Sequence, residues 1–536
     1  MNRRTFLRWV GTGAAGLWAA GRTATAPARA AQASAPAAAR LPNIVFILAD
    51  DIGYGDLGCY GATKVKTPNC DRLAAEGVRF TDAHSPSSMC SPTRYAFLTG
   101  QYAWRNPAVA RGVLSGVSPL SIRKDTLTVP ALLKQAGYAT GIVGKWHLGL
   151  GNGATEYNGD IKPGPLEVGF DYAFFYPATN DRVPGVFVEN HRVVGLDPKD
   201  PIRISYGEKV GDEPTGKENP DLLKLKHSHG HDNTIVNGIG RIGFMAGGKA
   251  ARWVDEDVAD VFAGKAVAFL EKQAKDKPFF LYLPTADIHV PRTPNARFRG
   301  TSQCGVRGDA IHEFDWTVGQ IASTLARLGL AENTLVIVTS DNGGVIDDGY
   351  ADGAPQDLGD HRLNGVLRGF KGGLYEGGHR VPFMARWPGR IKPATTSAET
   401  VALVDMLATC AAITGRDLPA DAGPDSFNIL PSLVGEKADK PVRPNLVHHA
   451  GGGGLSIRQG PWKLIPGRGA GGAAKAKAKA DPTKPFRDPG GAGGDELYNL
   501  ADDLSETKNL AAANPEKVAE LKALLATVRD GGRSRA

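Results

Sequence analysis

The chain has 536 residues, 42% of them alkyl or aromatic and 22% charged, which is ample for a large core and excludes a mainly disordered or fibrous protein. Five cysteines exclude a disulfide-built scaffold, and the odd number leaves at least one unpaired within the chain. The formal charge of +7 suggests an acidic partner, but Arg3, Arg4, Arg8, Arg22 and Arg29 supply five of those charges, and the first 30 residues contain no acid. Six basic residues between 467 and 488 stand against two acids. The rest is close to neutral, so no nucleic-acid-binding surface is expected.

Residues 1–30 read as an export signal. Arg3-Arg4-Thr5-Phe6-Leu7 is a twin-arginine pattern, Trp9 to Ala20 is mildly apolar, and Ala28-Arg29-Ala30 suits cleavage. The apolar stretch is too short to span a bilayer, which needs about 20 residues, and no other segment is long enough, so no membrane is expected for the mature chain. Residues 31–40 read as a flexible leader. The expected partners in export are the twin-arginine machinery, and the expected destination is the periplasm or the medium.

Four short apolar runs follow: Asn43–Leu48, Tyr138–Val143, Pro278–Leu283 and Thr334–Thr339. Each suits a strand buried on both faces of a parallel sheet. Helix-like stretches alternate with them at Asn69–Gly77, Val129–Gly137, Val254–Lys275 and Arg307–Leu328. The alternation predicts an α/β fold with a mainly parallel central sheet flanked by helices over 41–440. Ligands in such sheets bind beyond the C-terminal strand ends. Asp50-Asp51, Lys145 to His147, His289 and Ser340 to Gly344 all fall there. After about 440 the texture changes. Ser456–Ile465 and Glu496–Leu500 read as strands of a smaller antiparallel sheet, and Pro515–Arg529 as a terminal helix, in a C-terminal α+β domain spanning 441–536. The Gly- and Lys-rich stretch 466–494 reads as a mobile loop.

The most informative stretch is Cys90-Ser91-Pro92-Thr93-Arg94. Pro92 suits the first turn of a helix, which puts Cys90 at its N-terminus, where free N–H groups and the dipole favour an anion, with Arg94 one turn on. Together with Leu98-Thr99-Gly100, this stretch resembles the signature of the type I sulfatases, in the alkaline phosphatase-like superfamily. The resemblance extends over about 43–510 through Asp50-Asp51, Gly144-Lys145-Trp146-His147, His289, Ser340-Asp341-Asn342-Gly343, and Lys371 ahead of Glu376-Gly377-Gly378. It implies hydrolysis of sulfate monoesters by a nucleophile made from Cys90, oxidised to formylglycine by a formylglycine-generating or sulfatase-maturating enzyme. Asp50, Asp51, Asp341 and Asn342 are hard oxygen ligands suited to Ca²⁺ or Mg²⁺, and the resemblance favours one Ca²⁺ shared with residue 90. It further implies that Lys145 and Lys371 clamp the sulfate, Arg94 orients the hydrated aldehyde, His289 protonates the leaving oxygen, and His147 acts on residue 90 so that the sulfated enzyme collapses.

Substrate candidates are Asn180, Asp181 and Arg182, with His361 beside Asp360, as sugar contacts or as loop-internal turn residues. His227 to His231 (HSHGH) reads as a substrate-pocket loop carrying His229 and His231, or as a transition-metal site if its histidines converge. The stretches around 180–190, 227–260 and 341–354 resemble bacterial carbohydrate sulfatases that remove 6-O-sulfate from galactose or N-acetylgalactosamine at chain ends, and many relatives are called arylsulfatases. Two other readings stay open: a phosphodiesterase or phosphonate monoester hydrolase of the same superfamily, and a non-catalytic sugar-binding protein. Cys59 and Cys70 are candidates for a disulfide, and Cys410 for the core.

Overall fold

The computed structural model describes residues 40–153, 155–436, 439–467 and 494–535. The export signal, most of the leader and the stretch 468–493 lie outside the described residues. From Leu41 onward the chain forms one compact unit. Its frame is a ten-stranded sheet. At the centre, five strands run parallel in the spatial order Thr334–Ser340, Asn43–Ala49, Phe279–Pro284, Ala139–Lys145, Tyr172–Tyr176. All four apolar runs are therefore central strands, within a residue or two of their expected limits. Phe383–Arg386 adds antiparallel to one side, and the short strand Val188–Glu189 to the other.

Continuous Val/Ile/Leu runs form these strands because helices cover both faces, leaving no polar side to specify. Core residues such as Phe46, Ile337 and Tyr282 lie on one face, and Val45, Val336 and Leu281 on the other. Helices Val258–Glu271 and Gly305–Arg327 cover the second face. The first is shorter than expected because Asp255–Asp257 turns as a 3₁₀ segment ahead of it. On the opposite face, helix Cys90–Thr99 packs through Phe97, whose ring lies 4.3 Å from that of Phe46 and 4.9 Å from that of Tyr282.

Register aligns the strand ends. Ala49 sits opposite Ser340, Leu48 opposite Pro284, and Lys145 opposite Tyr176. Every polar residue that follows a central strand therefore emerges at one edge. Gly144 makes this possible next to Lys145: its φ is 131°, and a Cβ there would stand 1.8 Å from the Pro284 carbonyl oxygen.

The C-terminal sheet is antiparallel, in the order Leu446–His449, Leu455–Gln459, Trp462–Ile465, Glu496–Asn499, with helix Pro515–Asp530 packed on it. Its core is shared with Ala96 and Tyr102, so it backs the helix that carries Cys90. All five cysteines are free thiols, so Cys59 and Cys70 are not paired; Cys410 is buried, as expected.

A buried polar cluster, invisible in the sequence, ties the C-terminal sheet, through His448 and Lys463, to the short helix Glu376–His379 and the strand Ala83–His84. His84 Nδ1 lies 3.1 Å from His379 Nδ1, and the His379 and His448 rings stack 3.6 Å apart at 17°. Two nearly parallel rings leave no position in the plane of both for a shared ion, so the trio does not form a metal site in this arrangement. Asp82 holds His84 Nε2 at 2.9 Å, and Lys463 Nζ reaches Glu376 at 2.9 Å and Glu506 at 2.8 Å. Burial holds all three histidines below the ordinary imidazole range; Lys463 adds to this at His379, and the neighbouring imidazoles at His448. The fold thus excludes protons that the unfolded chain takes up, and stability is lost as pH falls through the unfolded value of about 6.5. His448→Phe, which keeps the stack on His379, is expected to flatten the fall of Tm between about pH 7 and about pH 5. An unchanged slope would remove His448 from the account.

Candidate active site

Asp50 and Asp51 leave the first central strand fully buried. Asp51 takes φ 70°, a left-handed turn that sends consecutive side chains in different directions. Asp50 Oδ2 accepts from Lys145 Nζ at 2.5 Å, while Asp51 Oδ2 accepts from Lys371 Nζ at 2.9 Å and Oδ1 from Asn342 Nδ2 at 2.8 Å. Asp341 Oδ2 receives both Arg94 Nε at 3.1 Å and Nη2 at 2.7 Å. The strand register explains the meeting: Asp341 follows Ser340, which pairs with Ala49 just ahead of Asp50.

Helix Cys90–Thr99 begins at Cys90 itself, with Pro92 in its first turn and Gly100 closing it at φ 64°. All ten residues are buried, Arg94 completely. Burial pushes the Cys90 thiol up, and Lys145 and Lys371 only partly offset this.

The two histidines each have one nitrogen assigned by a carbonyl. His147 Nε2 stands 2.9 Å from Leu114 O and must donate to it, which leaves Nδ1 as a buried lone pair with no hydrogen-bond partner among the described residues. His289 Nδ1 donates to Val290 O at 2.7 Å, and the ligating atoms of Asp50, Asp51 and His289 lie within 4.8 Å of one another. Burial, then Lys371 and Lys145, push His289 down to about 4. His147 is held well below 6.5 by burial and by Lys145, Arg182 and Arg94.

Sequence reasoning missed Asp348, whose Oδ2 takes Lys371 Nζ at 2.8 Å. The only signal was its place in the same loop as Asp341 and Asn342. With Asp348, the cluster holds four carboxylates (Asp50, Asp51, Asp341, Asp348) against three cations (Arg94, Lys145, Lys371). The shortfall appears at Asp50, which burial and Asp341 raise to about 8 against the pull of Lys145. Asp50 Oδ1 and Asn342 Oδ1 are buried with no hydrogen-bond partner among the described residues. Orphaned hard oxygens in an acid-rich, buried site fit a divalent cation of the Ca²⁺ or Mg²⁺ type.

The substrate candidates divide. Asp181, Arg182 and His231 come together: Arg182 Nη1 is 2.9 Å from Asp181 Oδ1, and His231 Nε2 is 2.9 Å from Oδ2. Asn180 and His289 line one small cavity. His229 is half exposed on the rim, and its ring lies 6.4 Å from that of His231 at 85°. No three-residue metal grouping among the described residues includes the 227–231 histidines, so the transition-metal alternative is not supported. His361 requires correction as a sugar contact: its Nε2 is 2.9 Å from Asp56, which Arg307 grips at 2.6 and 2.7 Å, all three side chains buried. It completes a structural ion cluster.

The sulfatase family pattern matches residues 42–416. The chain belongs to the sulfatase family. This sulfatase is 50% identical over 489 residues to the N-acetylgalactosamine-6-O-sulfatase of Bacteroides thetaiotaomicron, covering 91% of this chain and 93% of that one. It is 33% identical to human arylsulfatase A over 92% of this chain and 89% of the relative. A solved Bacteroides thetaiotaomicron sulfatase, described in connection with the metabolism of multiple glycosaminoglycans, superposes with a TM-score of 0.86 at 48% identity, covering 92% of this chain and all of that one. The enzyme is a sulfatase, and the non-catalytic sugar-binding alternative falls. Among the described residues no helix is long and apolar enough to cross a membrane.

Proposed function

We propose that the enzyme removes 6-O-sulfate from galactose or N-acetylgalactosamine units, with residue 90 oxidised to formylglycine as nucleophile and one Ca²⁺ held by Asp50, Asp51, Asp341, Asn342 and residue 90. The observation that carries the reading is Cys90 buried at a helix N-terminus with Lys145 and Lys371 acting on it, in a site that leaves Asp50 Oδ1 and Asn342 Oδ1 without a hydrogen-bond partner among the described residues. The half-identical relative that acts on N-acetylgalactosamine 6-sulfate supports the sugar. When bound, the cation supplies positive charge against the sulfuryl oxygens and acidifies the nucleophile.

The chain's own residues account for the rest. Lys145 holds its ammonium on Asp50 and Lys371 on Asp51 and Asp348, carboxylates that a sulfate oxygen can partly replace, so they are poised to follow charge as it moves. Arg94 is fixed by Asp341 and by the Lys145 carbonyl at 3.3 Å, which fixes the geometry around residue 90. His147 presents a lone pair at Nδ1, suited to taking a proton from residue 90. His289, with Nδ1 committed to Val290, keeps Nε2 for the leaving oxygen. We further propose that Cys90 is oxidised by a maturation enzyme in the cytoplasm and the folded protein exported by the twin-arginine route to the periplasm or medium.

The reading is tested by comparing esters that share a leaving group. kcat/KM for an aryl sulfate is expected to exceed that for the matching phosphate diester; the reverse order would mark a phosphodiesterase. Dialysis against EDTA is expected to lower turnover at least about 100-fold and to lower Tm, both restored by Ca²⁺. A ligand present at 100 times its Kd stabilises by about 2.7 kcal/mol. Full activity and unchanged Tm after exhaustive chelation would remove the cation.

A further inference from the structure

Two loops deliver the side-chain oxygens of the cation site, one after the strand Asn43–Ala49 and one after the strand Thr334–Ser340. Close to the strand ends they are stitched together: Ile52 N–H donates to Ser340 Oγ at 3.0 Å, and the Ser340 hydroxyl donates to the Asn342 carbonyl at 3.0 Å. Further out the loops touch again, since a Cβ on Gly344 would stand 3.1 Å from Gly53 Cα. Register decides where the two strands stop, but the side chains beyond them depend on the paths of these loops.

One guanidinium spans both paths. Arg307 projects from helix Gly305–Arg327, fully buried, and grips Asp56 through Nη1 to Oδ1 at 2.7 Å and Nη2 to Oδ2 at 2.6 Å. Its Nε–H reaches the Val345 carbonyl at 3.4 Å. Asp56 Oδ2 also accepts the Gly53 N–H at 2.7 Å, and Oδ1 accepts from His361 Nε2 at 2.9 Å. The four acceptor positions of the carboxylate are thereby filled. Burial works against its charge, but Arg307 and then His361 outweigh it, so Asp56 stays ionised. Arg292 adds to the hold on the second loop, donating from Nη2 to the same Val345 carbonyl at 3.1 Å and from Nη1 to Ile346 O at 3.0 Å. Gly53 is two residues past Asp51, and Val345 three past Asn342.

These loops carry a charge imbalance. Asp50, Asp51, Asp341 and Asp348 outnumber Arg94, Lys145 and Lys371, so the carboxylates repel one another until an ion arrives. Loops held from behind meet the ion with their oxygens already converged, whereas loose loops must be ordered at a cost in affinity.

We propose that Arg307 and Asp56 are positioning residues for the cation: their forked pair, completed by His361, locks the turn after Asp51 to the turn after Asn342 and so sets the affinity of the site. The inference rests on the cation reading proposed above.

The matured enzyme is stripped with a chelator, and Ca²⁺ is titrated back in competition with a chromophoric chelator, so that Kd is read without turnover. Arg307→Lys keeps a charge against Asp56 but loses the fork and the reach to Val345. Asp56→Asn keeps the shape but loses the charge that holds the fork. Each is expected to raise Kd for Ca²⁺ by about 10- to 100-fold, the usual effect of a residue that orients metal ligands from behind. The Ca²⁺ concentration giving half-maximal turnover is expected to shift by the same factor. His361→Leu removes one donor from Asp56 and is expected to raise Kd by at least about threefold, which gives a reading should the other two fail to fold. A merely structural pair would move Tm and leave Kd alone. Arg443→Lys supplies that comparison, because Arg443 is equally buried but binds Asp405, the Asp425 carbonyl and Tyr102. It is expected to lower Tm with Kd within about twofold of wild type. A Kd within about twofold of wild type in every folded variant of Arg307, Asp56 and His361 would overturn the proposal. Wild-type enzyme that takes up no Ca²⁺ would remove the cation reading and this proposal with it, and that arm is read on the wild type alone.

Discussion

Cys90→Ala is expected to abolish turnover of every sulfate ester, by at least about 10⁴-fold, because it removes the side chain proposed to become the nucleophile. The fold should survive. The substitution deletes one buried sulfur at the first residue of a helix whose packing rests on Phe97 against Phe46 and Tyr282, a cost of about 1 kcal/mol. The more telling half concerns the unmodified thiol. Burial raises Cys90 more than the two lysines lower it, so at neutral pH the unoxidised residue is a protonated thiol and a poor nucleophile. Active protein should therefore carry a different group at this position. Mass spectrometry of the peptide around residue 90 is expected to find it about 18 Da lighter than the thiol form, the difference between CH₂SH and CHO. A fully active preparation containing only the thiol would sink the formylglycine mechanism.

The sequence made some of this legible, and the reason differs from residue to residue. Four of the five central strands were readable because strands covered on both faces need unbroken apolar runs, and those runs end just ahead of Asp50, Lys145 and Asp341; the fifth, Tyr172–Tyr176, was not read. The start of the catalytic helix was readable from Pro92 alone, since proline fits only a first turn. What failed was long-range pairing. His361 looked available as a sugar contact because its partners Asp56 and Arg307 are remote in sequence, Asp56 by 305 positions. Asp348 went unnoticed for the converse reason: an aspartate in a polar loop has no local pattern, and only the fold brings it onto Lys371. The His84–His379–His448 cluster draws on three segments and has no periodicity at all. Asp181 and Arg182 were singled out as one polar cluster and His231 in another loop; that the Asp181 carboxylate ties His231 to them is a property of the fold.

Arg94→Ala is expected to damage both stability and catalysis, and its magnitude decides what the arginine is for. Its guanidinium is fully buried and bonds Asp341 through two nitrogens. Truncation leaves a buried carboxylate uncompensated among three others, of which Asp50 is already raised to about 8. Losing one partner of a buried ion pair costs about 3–5 kcal/mol, read as a shift in the denaturant midpoint at constant slope. Turnover should fall by at least about 10²-fold, since a charged donor beside the nucleophile disappears. Arg94→Lys separates charge from shape: the ammonium satisfies Asp341 but cannot also reach the Lys145 carbonyl, which Arg94 Nη1 holds at 3.3 Å. Stability is therefore expected to recover in large part while turnover does not. Arg94→Ala combined with Asp341→Asn should be less destabilised than the sum of the single changes, because the second removes the charge that the first strands. An Arg94→Ala variant with the wild-type midpoint would mean that a bound cation already supplies the compensation, and the chelated protein should then show the missing 3–5 kcal/mol of about the same size.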